Sequence, residues 1–237
     1  MHRLFRLACS GIASGGAAVP VHEIQHHHLK SGQVKPFLEL GANELWPEAE
    51  AAGARVVAVF GVVIGQSPTA MVLVEHAQDS LETLLSQADP ARRPPSHDRL
   101  AELVVSSDNR LVVPSGRWPL RPIPPDGIFT LRAWKVAPGA IDRFHRHTAE
   151  ILWPLGLESE QGTYLGLWTT AVGRPGEILM FSRYDSMDHW ERTRPEPPTS
   201  ATPEQVRNFR QAMADRDQTS LSTDMSVYRR LAVWPKA

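Results

Sequence analysis

The chain lacks the features that mark several common classes of protein. A single cysteine, Cys9, excludes an internal disulfide and a cysteine-rich metal site. The formal net charge at pH 7 is -1, so no excess of positive charge favours nucleic acid or an anionic membrane surface. No apolar run approaches the roughly 20 residues that a membrane-spanning helix needs. Glycine-rich phosphate loops, the nucleophile elbow of hydrolases and the zinc-protease helix motif are also missing. We therefore predict neither a nucleic-acid partner nor insertion into a membrane.

An internal repeat is the main feature that is present. Residues 22–80 align with residues 129–186 at a shift of 107, the difference between Gly139 and Gly32. The other clear matches, some of which need small gaps, are Phe37 with Phe144, Leu45-Trp46-Pro47 with Leu152-Trp153-Pro154, Gly65 with Gly173, and Asp79-Ser80 with Asp185-Ser186. A period of this length indicates one domain-sized unit that occurs twice.

Each copy has the pattern of strand, helix, strand, strand, helix and strand. The first strand is predicted at 22–29 and at 129–136, and helical apolar spacing follows until a Trp-Pro pair, which we expect to end each helix. Two strands joined by a glycine-containing turn come next. An Asp-Ser dipeptide then provides a good N-cap for the helices predicted at Leu81–Gln87 and Met187–Thr193. This order predicts a ferredoxin-like βαββαβ unit in each copy.

The predicted fold is α+β, with the two ferredoxin-like units packed sheet to sheet within one chain. A ferredoxin-like sheet carries helices on one face and must cover the other, and two tandem copies can cover each other as an intrachain dimeric α/β-barrel. The predicted divisions are a tail at 1–20, a first unit at 21–114, a proline-rich linker at 115–127 and a second unit at 128–237. The tail bears Arg3 and Arg6 and no acidic residue, so the alternatives are a disordered tail and a targeting segment. We expect a cytoplasmic protein, or an organellar or exported one if the tail is a targeting segment.

Several segments carry a resemblance to a known family. The two first strands with their turns are HEIQHHHLKSG at His22–Gly32 and FTLRAWKVAPG at Phe129–Gly139. Trp168-Thr169 follows on the second strand of the second copy, Tyr184-Asp185-Ser186 ends its third strand, and Arg110–Pro114 closes the first copy. In this order they resemble the NIPSNAP family, whose domains open with a strand of the type Tyr-Glu-Leu-Arg-x-Tyr-x-Leu-Lys-Pro-Gly. The resemblance covers nearly everything from residue 21 onward.

The resemblance implies the dimeric α/β-barrel superfamily and says little about chemistry. Its members include cofactor-independent monooxygenases, polyketide cyclases, muconolactone isomerases and haem-degrading enzymes, together with plain binding proteins. We expect a small-molecule ligand and no cofactor, and a homodimer of the two-repeat chain stays open.

Three consecutive histidines lie on the first strand. The two-residue period of a strand places His26 and His28 on one face and His27 on the other. His76, on the neighbouring third strand, could complete a three-histidine metal site. The alternative is that these histidines fill positions that are polar in the family pattern. No spacing of acidic residues with histidine supports a metal, so we predict that there is no metal site.

The two copies differ most where we expect the interior of the barrel. In the second copy Leu131 is expected to face the helices, so that Arg132 and Trp134 point into the barrel. The matching residues of the first copy are Gln25 and His27, while Gly61 is matched with Trp168. We predict one off-axis pocket beside His27 and Gly61, closed by the two tryptophans. The alternative is that Trp168 packs into the gap over Gly61 and that nothing binds there.

The candidate catalytic residues of this pocket are His27 and Arg132. His27 is the candidate acid or base, and Arg132 is the candidate to hold a carboxylate or an enolate. The candidate substrate-binding residues are Glu23, Gln25, Gly61, His76, Trp134, Trp168 and Tyr184. Two functions remain open: a cofactor-free acid/base, monooxygenase, cyclase or isomerase-type enzyme acting on a small aromatic or polyketide-like molecule, and a non-catalytic ligand-binding or scaffolding protein.

Overall fold

The computed structural model describes residues 20–65, 68–76, 94–115, 118–158, 163–193, 196–197 and 199–232. Its strands are β1 (Val21–Leu29), β2 (Ala54–Ile64), β3 (Thr69–His76), β4 (Val104–Pro114), β5 (Ile128–Val136), β6 (Thr163–Val172), β7 (Glu177–Tyr184) and β8 (Ser220–Ala232). Its α-helices are α1 (Val34–Leu40), α2 (Trp46–Ala51), α3 (Pro95–Leu103), α4 (Ile141–Arg146), α5 (Trp153–Glu158), α6 (Met187–Arg192) and α7 (Pro203–Thr219). The tail up to residue 19 and the helix predicted at Leu81–Gln87 lie outside the described residues.

All eight strands belong to one closed barrel, in the order β1-β3-β2-β8-β5-β7-β6-β4. Each copy contributes four neighbouring strands, and every pairing is antiparallel. The copies join where β2 pairs with β8 and where β4 pairs with β6. The predicted α+β fold, two ferredoxin-like units packed sheet to sheet within one chain, is thus confirmed. The division into separate units at 21–114 and 128–237 stays a prediction.

The main core fills the inside of the barrel. Its fully buried members come from every strand: Ile24, Ala58, Phe60, Met71, Leu73, Val112, Phe129, Leu131, Leu165, Trp168, Leu179, Phe181 and Tyr228. Phe60 packs edge-on against Phe129 with ring centres 5.0 Å apart, and Phe129 stacks on Phe181 at 5.7 Å. Because strand residues alternate between faces, this core accounts for one face of each strand and leaves the other to the helices.

The linker between the copies covers one end of the barrel. Strand β4 ends and β5 begins at this end, and Leu120 and Ile123 of the connecting segment pack against the interior core. Arg230, near the end of β8, donates hydrogen bonds to the carbonyl oxygens of Ile123 and Pro124 at 3.1 and 3.0 Å. The described part of the linker therefore closes the barrel at one end.

The helices after β1 and β5 run through their Trp-Pro pairs. Helix α1 passes into a π-helical segment, Gly41–Leu45, and then into α2, which begins at Trp46. The prediction that Trp-Pro ends each helix is wrong. Proline lacks an N–H and crowds the preceding turn, and the π-helical segment widens the helix just before it. The second copy repeats this with a π-helical segment at His147–Leu152 between α4 and α5.

Glycine allows the tight packing of this wide turn. A Cβ atom on Gly41 would lie 2.5 Å from Cζ2 of Trp46, so the indole occupies the space that any other side chain would need. Trp46 is 4% exposed and belongs to the outer core between the first sheet half and its helices.

An ion-pair network lies at the barrel end opposite the linker. Arg110 on β4 contacts Asp108 at 3.0 Å and Glu177 at 3.3 Å, and Arg174 contacts the same Asp108 oxygen at 2.8 Å. Arg110 is 7% exposed and Glu177 is 6% exposed. Burial raises the pKa of Glu177, while the two arginines oppose that rise.

Replacing Arg110 by Met should destabilise the fold by about 3 kcal/mol, because it leaves the Glu177 carboxylate buried without its closest cation. Urea unfolding at neutral pH measures the loss. Arg143→Met on α4, where the side chain is exposed, is the control and should change stability by less than about 0.5 kcal/mol. Equal effects of the two replacements would show that the network contributes nothing.

Candidate functional site

The first strand presents its residues to faces opposite to those predicted. Ile24 lies in the interior core, and His22, on the same face, has its ring 5.7 Å from that of the interior Trp168. His27 instead has its ring 5.3 Å from that of Phe37 on helix α1. By alternation, Glu23 and Gln25 share this outer face with His27. The prediction that these three residues border a pocket inside the barrel is wrong.

Strand β5 shows the same reversal. Phe129 and Leu131 belong to the interior core, whereas Trp134 packs against Phe144 of α4 at a ring distance of 5.3 Å. Arg132 therefore also lies on the helix-facing side and not inside the barrel. On β5 the physical reason is that the apolar core of the barrel takes the alternate set of residues with fewer polar atoms, which includes Phe129 and Leu131.

The predicted match of Gly61 with Trp168 is also wrong. Phe60 is paired across the sheet with Met71, and Trp168 is paired with Leu179, the counterpart of Met71. The true counterpart of Trp168 is therefore Phe60, another large interior aromatic residue. Gly61 lies on the outer face, where a Cβ atom would meet the Leu231 side chain at 3.0 Å. The cause is one extra residue in the second copy, inserted between the Trp-Pro pair and the second strand.

The predicted residues of the first copy form a small hydrogen-bonded group on its outer face. His76 Nε2 lies 3.1 Å from Glu23 Oε2, and His27 Nδ1 lies 2.9 Å from Ser107 Oγ. His27 Nε2 is also 3.4 Å from the Gln25 side-chain oxygen. Burial lowers the pKa of His27 to about 4, so the ring is neutral at pH 7. His27 lies on the outer face of the first copy and Arg132 on that of the second, so they do not form one site. Their chemical roles stay predictions.

The outer face of the second copy brings together Arg132, Trp134 and Tyr184 with two residues that were not predicted, Tyr164 and Arg216. We call these five residues the cationic cluster. The Cζ atoms of Arg132 and Arg216 lie 5.7 and 5.3 Å from the centre of the Trp134 ring. Tyr164 stacks on Trp153 with ring centres 4.7 Å apart and planes 3° from parallel. Strands β5, β6 and β7 and helix α7 each contribute at least one member.

The two guanidinium groups of the cluster have little compensating negative charge. The side chain of Arg216 is 11% exposed, and its nearest carboxylate, on the largely exposed Asp217, is 3.9 Å away. Arg132 donates to the sulfur of Met225 at 3.4 Å, and within the described ranges it has no ion pair with a carboxylate. Burial lowers the pKa of Arg216, and the positive charge of Arg132 lowers it further. The cluster therefore holds two partly desolvated positive charges close together.

The two tyrosines of the cluster are hydrogen-bond donors at neutral pH. Burial raises the pKa of Tyr164 to about 12, although the two arginines oppose the rise. Burial also raises the pKa of Tyr184, against the charge of Arg132. Two phenolic O–H groups that keep their protons can donate to an anion but cannot act as bases.

Arg216 could have been found from the sequence of α7. The buried positions of this helix are Phe209, Ala212 and Thr219, with spacings of three and seven residues. Arg216 falls on the same stripe, four residues after Ala212 and three before Thr219. A charged residue on the buried stripe of a helix is an unusual feature that indicates a functional site. Tyr164 offers no such signal, because an aromatic residue near the start of a strand is ordinary.

Neither a metal site nor a membrane span is evident in the part of the chain that the structure describes. No group of three or more His, Cys, Asp or Glu side chains there is placed to hold a metal ion. None of the described helices combines the length and apolar character that crossing a membrane requires. The predicted absence of a bound metal stays a prediction.

Comparison with known proteins identifies the fold. No protein family profile matches the chain, and no curated protein does. A solved structure of an anthrone oxidase-like protein matches over 90% of this chain and 92% of its own, with a TM-score of 0.63 and 12% identity. A monooxygenase-like protein from Fusobacterium nucleatum subsp. nucleatum matches over 92% and 95%, with a TM-score of 0.61 and 12% identity.

NIPSNAP structures are also among the matches. One such protein, from Agrobacterium tumefaciens, aligns over 43% of this chain and 99% of its own, with a TM-score of 0.37 and 25% identity. The two nearly full-length matches show that this chain has the dimeric α/β-barrel fold, as the sequence resemblance implied.

Proposed function

We propose that the protein binds a small, planar organic anion at the cationic cluster of its second copy. The observation that carries the proposal is that Arg132 and Arg216 both contact the ring of Trp134, while the nearest carboxylate, on the exposed Asp217, is 3.9 Å from Arg216. Three of the site residues predicted from the sequence, Arg132, Trp134 and Tyr184, belong to this proposed site. Their site lies between sheet and helices and not inside the barrel.

The energetics favour an anion. Desolvating a charged group costs several kcal/mol even after the protein relaxes. A cation–π contact returns about 0.5–2 kcal/mol, so stacking on Trp134 offsets only part of the cost of the two arginines. A carboxylate, phenolate or enolate between the guanidinium groups would supply the missing charge and accept their hydrogen bonds. Arg132 is half-buried, which leaves it accessible from solvent.

The surroundings of the cluster favour a flat, apolar body on that anion. Trp153 and Tyr164 form a stacked pair, and the sulfur of Met180 accepts a hydrogen bond from Trp153 Nε1 at 3.3 Å. Met225 lies beside Arg132. Aromatic rings and methionine sulfurs pack well against planar aromatic molecules.

The chemistry that the cluster can perform is stabilisation of negative charge. Two guanidinium groups and two phenolic donors would lower the pKa of a bound phenol or enol and so increase the amount of its anion at neutral pH. The described members of the cluster include no base, so proton removal would fall to solvent or to a second ionisable group on the ligand.

A second candidate function is oxidation of the bound anion by dioxygen without a cofactor. It is favoured by the anion-stabilising character of the cluster, because an enolate or phenolate reacts with dioxygen more readily than the neutral molecule does. The fold neighbour described as anthrone oxidase-like is consistent with such chemistry. Oxygen uptake in the presence of anthrone tests it, and a rate no higher than that of buffer alone would reject it.

Thermal unfolding with matched ligands tests the binding proposal. Benzoate and 2-naphthoate should raise the unfolding temperature, because a ligand that binds the native state stabilises it. Their neutral counterparts, benzamide and 2-naphthamide, have nearly the same shape and should stabilise much less. Equal stabilisation by acid and amide would contradict the proposed recognition of charge.

A further inference from the structure

A separate cavity lies inside the barrel, at the end opposite the linker. Its volume is about 250 Å³, and its lining residues come from strands of both copies. Liquid water takes about 30 Å³ per molecule, so the cavity could hold roughly eight waters or an organic molecule of about ten non-hydrogen atoms. Its walls include the apolar side chains of Val62 and Leu131 beside the ring of Tyr228.

The two copies contribute different charged residues to the wall of this cavity. On the first copy Asp108 is paired across the sheet with His26, and Arg110 with Ile24. On the second copy Asp224 is paired across the sheet with Ala133, and Ser226 with Leu131. Since Ala133 and Leu131 are the counterparts of His26 and Ile24, Asp224 corresponds to Asp108 and Ser226 to Arg110.

The two carboxylates have different partners. Asp108 is contacted by Arg110 at 3.0 Å and by Arg174 at 2.8 Å. Asp224 has a serine where its counterpart has Arg110, and the position that matches Arg174 is Gln66 in the sequence. Among the described residues no basic side chain pairs with Asp224. Asp224 is therefore an exposed carboxylate at the cavity that has neither of the two cations found beside Asp108.

The cavity also contains an unused polar atom and open space. His26 lines it and is 8% exposed; its Nε2 lies 3.0 Å from the Tyr228 hydroxyl, while its Nδ1 has no hydrogen-bond partner among the described residues. The counterpart of His26 is Ala133, whose methyl group leaves room beside Asp224. A buried polar atom without a partner is uncommon and points to a missing group such as a ligand or water.

We propose that this cavity binds a small primary amine, whose ammonium group sits on Asp224 and whose apolar body lies against Leu131 and Tyr228. The ammonium group contacts Asp224 in the way that the guanidinium groups of Arg110 and Arg174 contact Asp108. An anion is disfavoured, because both arginines at the cavity are already paired with carboxylates. This site is independent of the cationic cluster.

Calorimetric titration with benzylamine and benzyl alcohol tests the proposal. The two molecules have almost the same shape and differ in charge at neutral pH. Benzylamine should bind at millimolar concentration and benzyl alcohol should bind at least about fivefold more weakly. Asp224→Asn should weaken benzylamine about fivefold and leave benzyl alcohol unchanged. Asp188→Asn, on the exposed side of α6, is the matched control and should change neither.

Ser226→Arg provides a second, independent variant. It gives Asp224 the cation that Asp108 receives from Arg110, so it should abolish benzylamine binding while the protein stays folded by circular dichroism. Absence of benzylamine binding to the unmodified protein would overturn the proposal. So would benzylamine binding that is unchanged in both Asp224→Asn and Ser226→Arg.

Discussion

Acidification from about pH 7 to about pH 5 should unfold the protein, because several buried histidines must stay neutral for the chain to fold. Burial lowers the pKa of these histidines from 6.5 to about 4 for His22, His27 and His145 and to about 3 for His26. In the unfolded chain each would return to its ordinary value. Below about pH 6.5 the unfolded state therefore binds protons that the native state does not, and stability falls as the pH falls.

The size of this effect follows from the number of histidines. Each contributes roughly 1.4 kcal/mol of lost stability per pH unit between its two pKa values, so four contribute roughly 5 kcal/mol per pH unit. A typical domain is stable by about 5–15 kcal/mol, so one to two pH units below about 6.5 should unfold a domain of up to about 10 kcal/mol. Above about pH 6.5 the histidine contribution is constant, because they are neutral in both states.

Urea unfolding across the range from about pH 8 to about pH 5 measures this slope. His145→Leu should reduce it by about one quarter, since one of four titrating rings is removed. The replacement is conservative because the counterpart of His145 in the first copy is Leu38, which packs against the outer core there. A stability that is flat between pH 7 and pH 5 would contradict the burial of these rings.

Replacing both arginines of the cationic cluster by Met should abolish binding of 2-naphthoate and at the same time raise thermal stability. Each guanidinium hydrogen bond to an anion contributes about 1.5–3 kcal/mol, so the double replacement of Arg132 and Arg216 should weaken binding by at least about 100-fold. The stability should rise because two like charges, partly desolvated and compensated only by the exposed Asp217 at 3.9 Å from Arg216, are removed from the ligand-free protein. Opposite effects on stability and on function are typical of residues retained for binding.

The control for this prediction is Arg210→Met, on the exposed side of α7. It removes the same charge from the same helix and should alter neither binding nor unfolding temperature. If the double replacement lowered stability as much as it lowered affinity, the two arginines would be structural residues and not ligand contacts.

The fold could be predicted from the sequence, because the internal repeat identified both the ferredoxin-like unit and the second copy that packs against it. A ferredoxin-like sheet leaves one face uncovered, and only the second copy was available to cover it. The ends of the helices were harder to predict. A Trp-Pro pair ordinarily stops a helix. The local sequence pattern did not predict the π-helical turn after which Trp46 and Trp153 begin new helical segments.

The candidate site was harder still, because β1, β3 and β5 are buried on both faces over most of their length. On β5 one face carries Phe129 and Leu131 and the other carries Arg132 and Trp134, so the alternation alone could not say which face was inside. On β2 a one-residue error in matching the copies then moved Gly61 into the place of Phe60. The residues of the proposed binding site were still partly identified, since Arg132, Trp134 and Tyr184 belong to the cationic cluster. Their partner Arg216 comes from a helix that the repeat did not help to align.

The ionisation of 2-naphthol bound to the protein tests the central claim, that the cationic cluster stabilises an organic anion. The absorbance of the naphtholate can be followed as a function of pH with the protein in excess. We expect the pKa of the bound naphthol to lie about 1–2 units below its value in water, because two guanidinium groups and two phenolic donors favour the anion. In the double Arg132 and Arg216 replacement that lowering should disappear. A bound naphthol whose pKa is unchanged or raised in the unmodified protein would contradict the account.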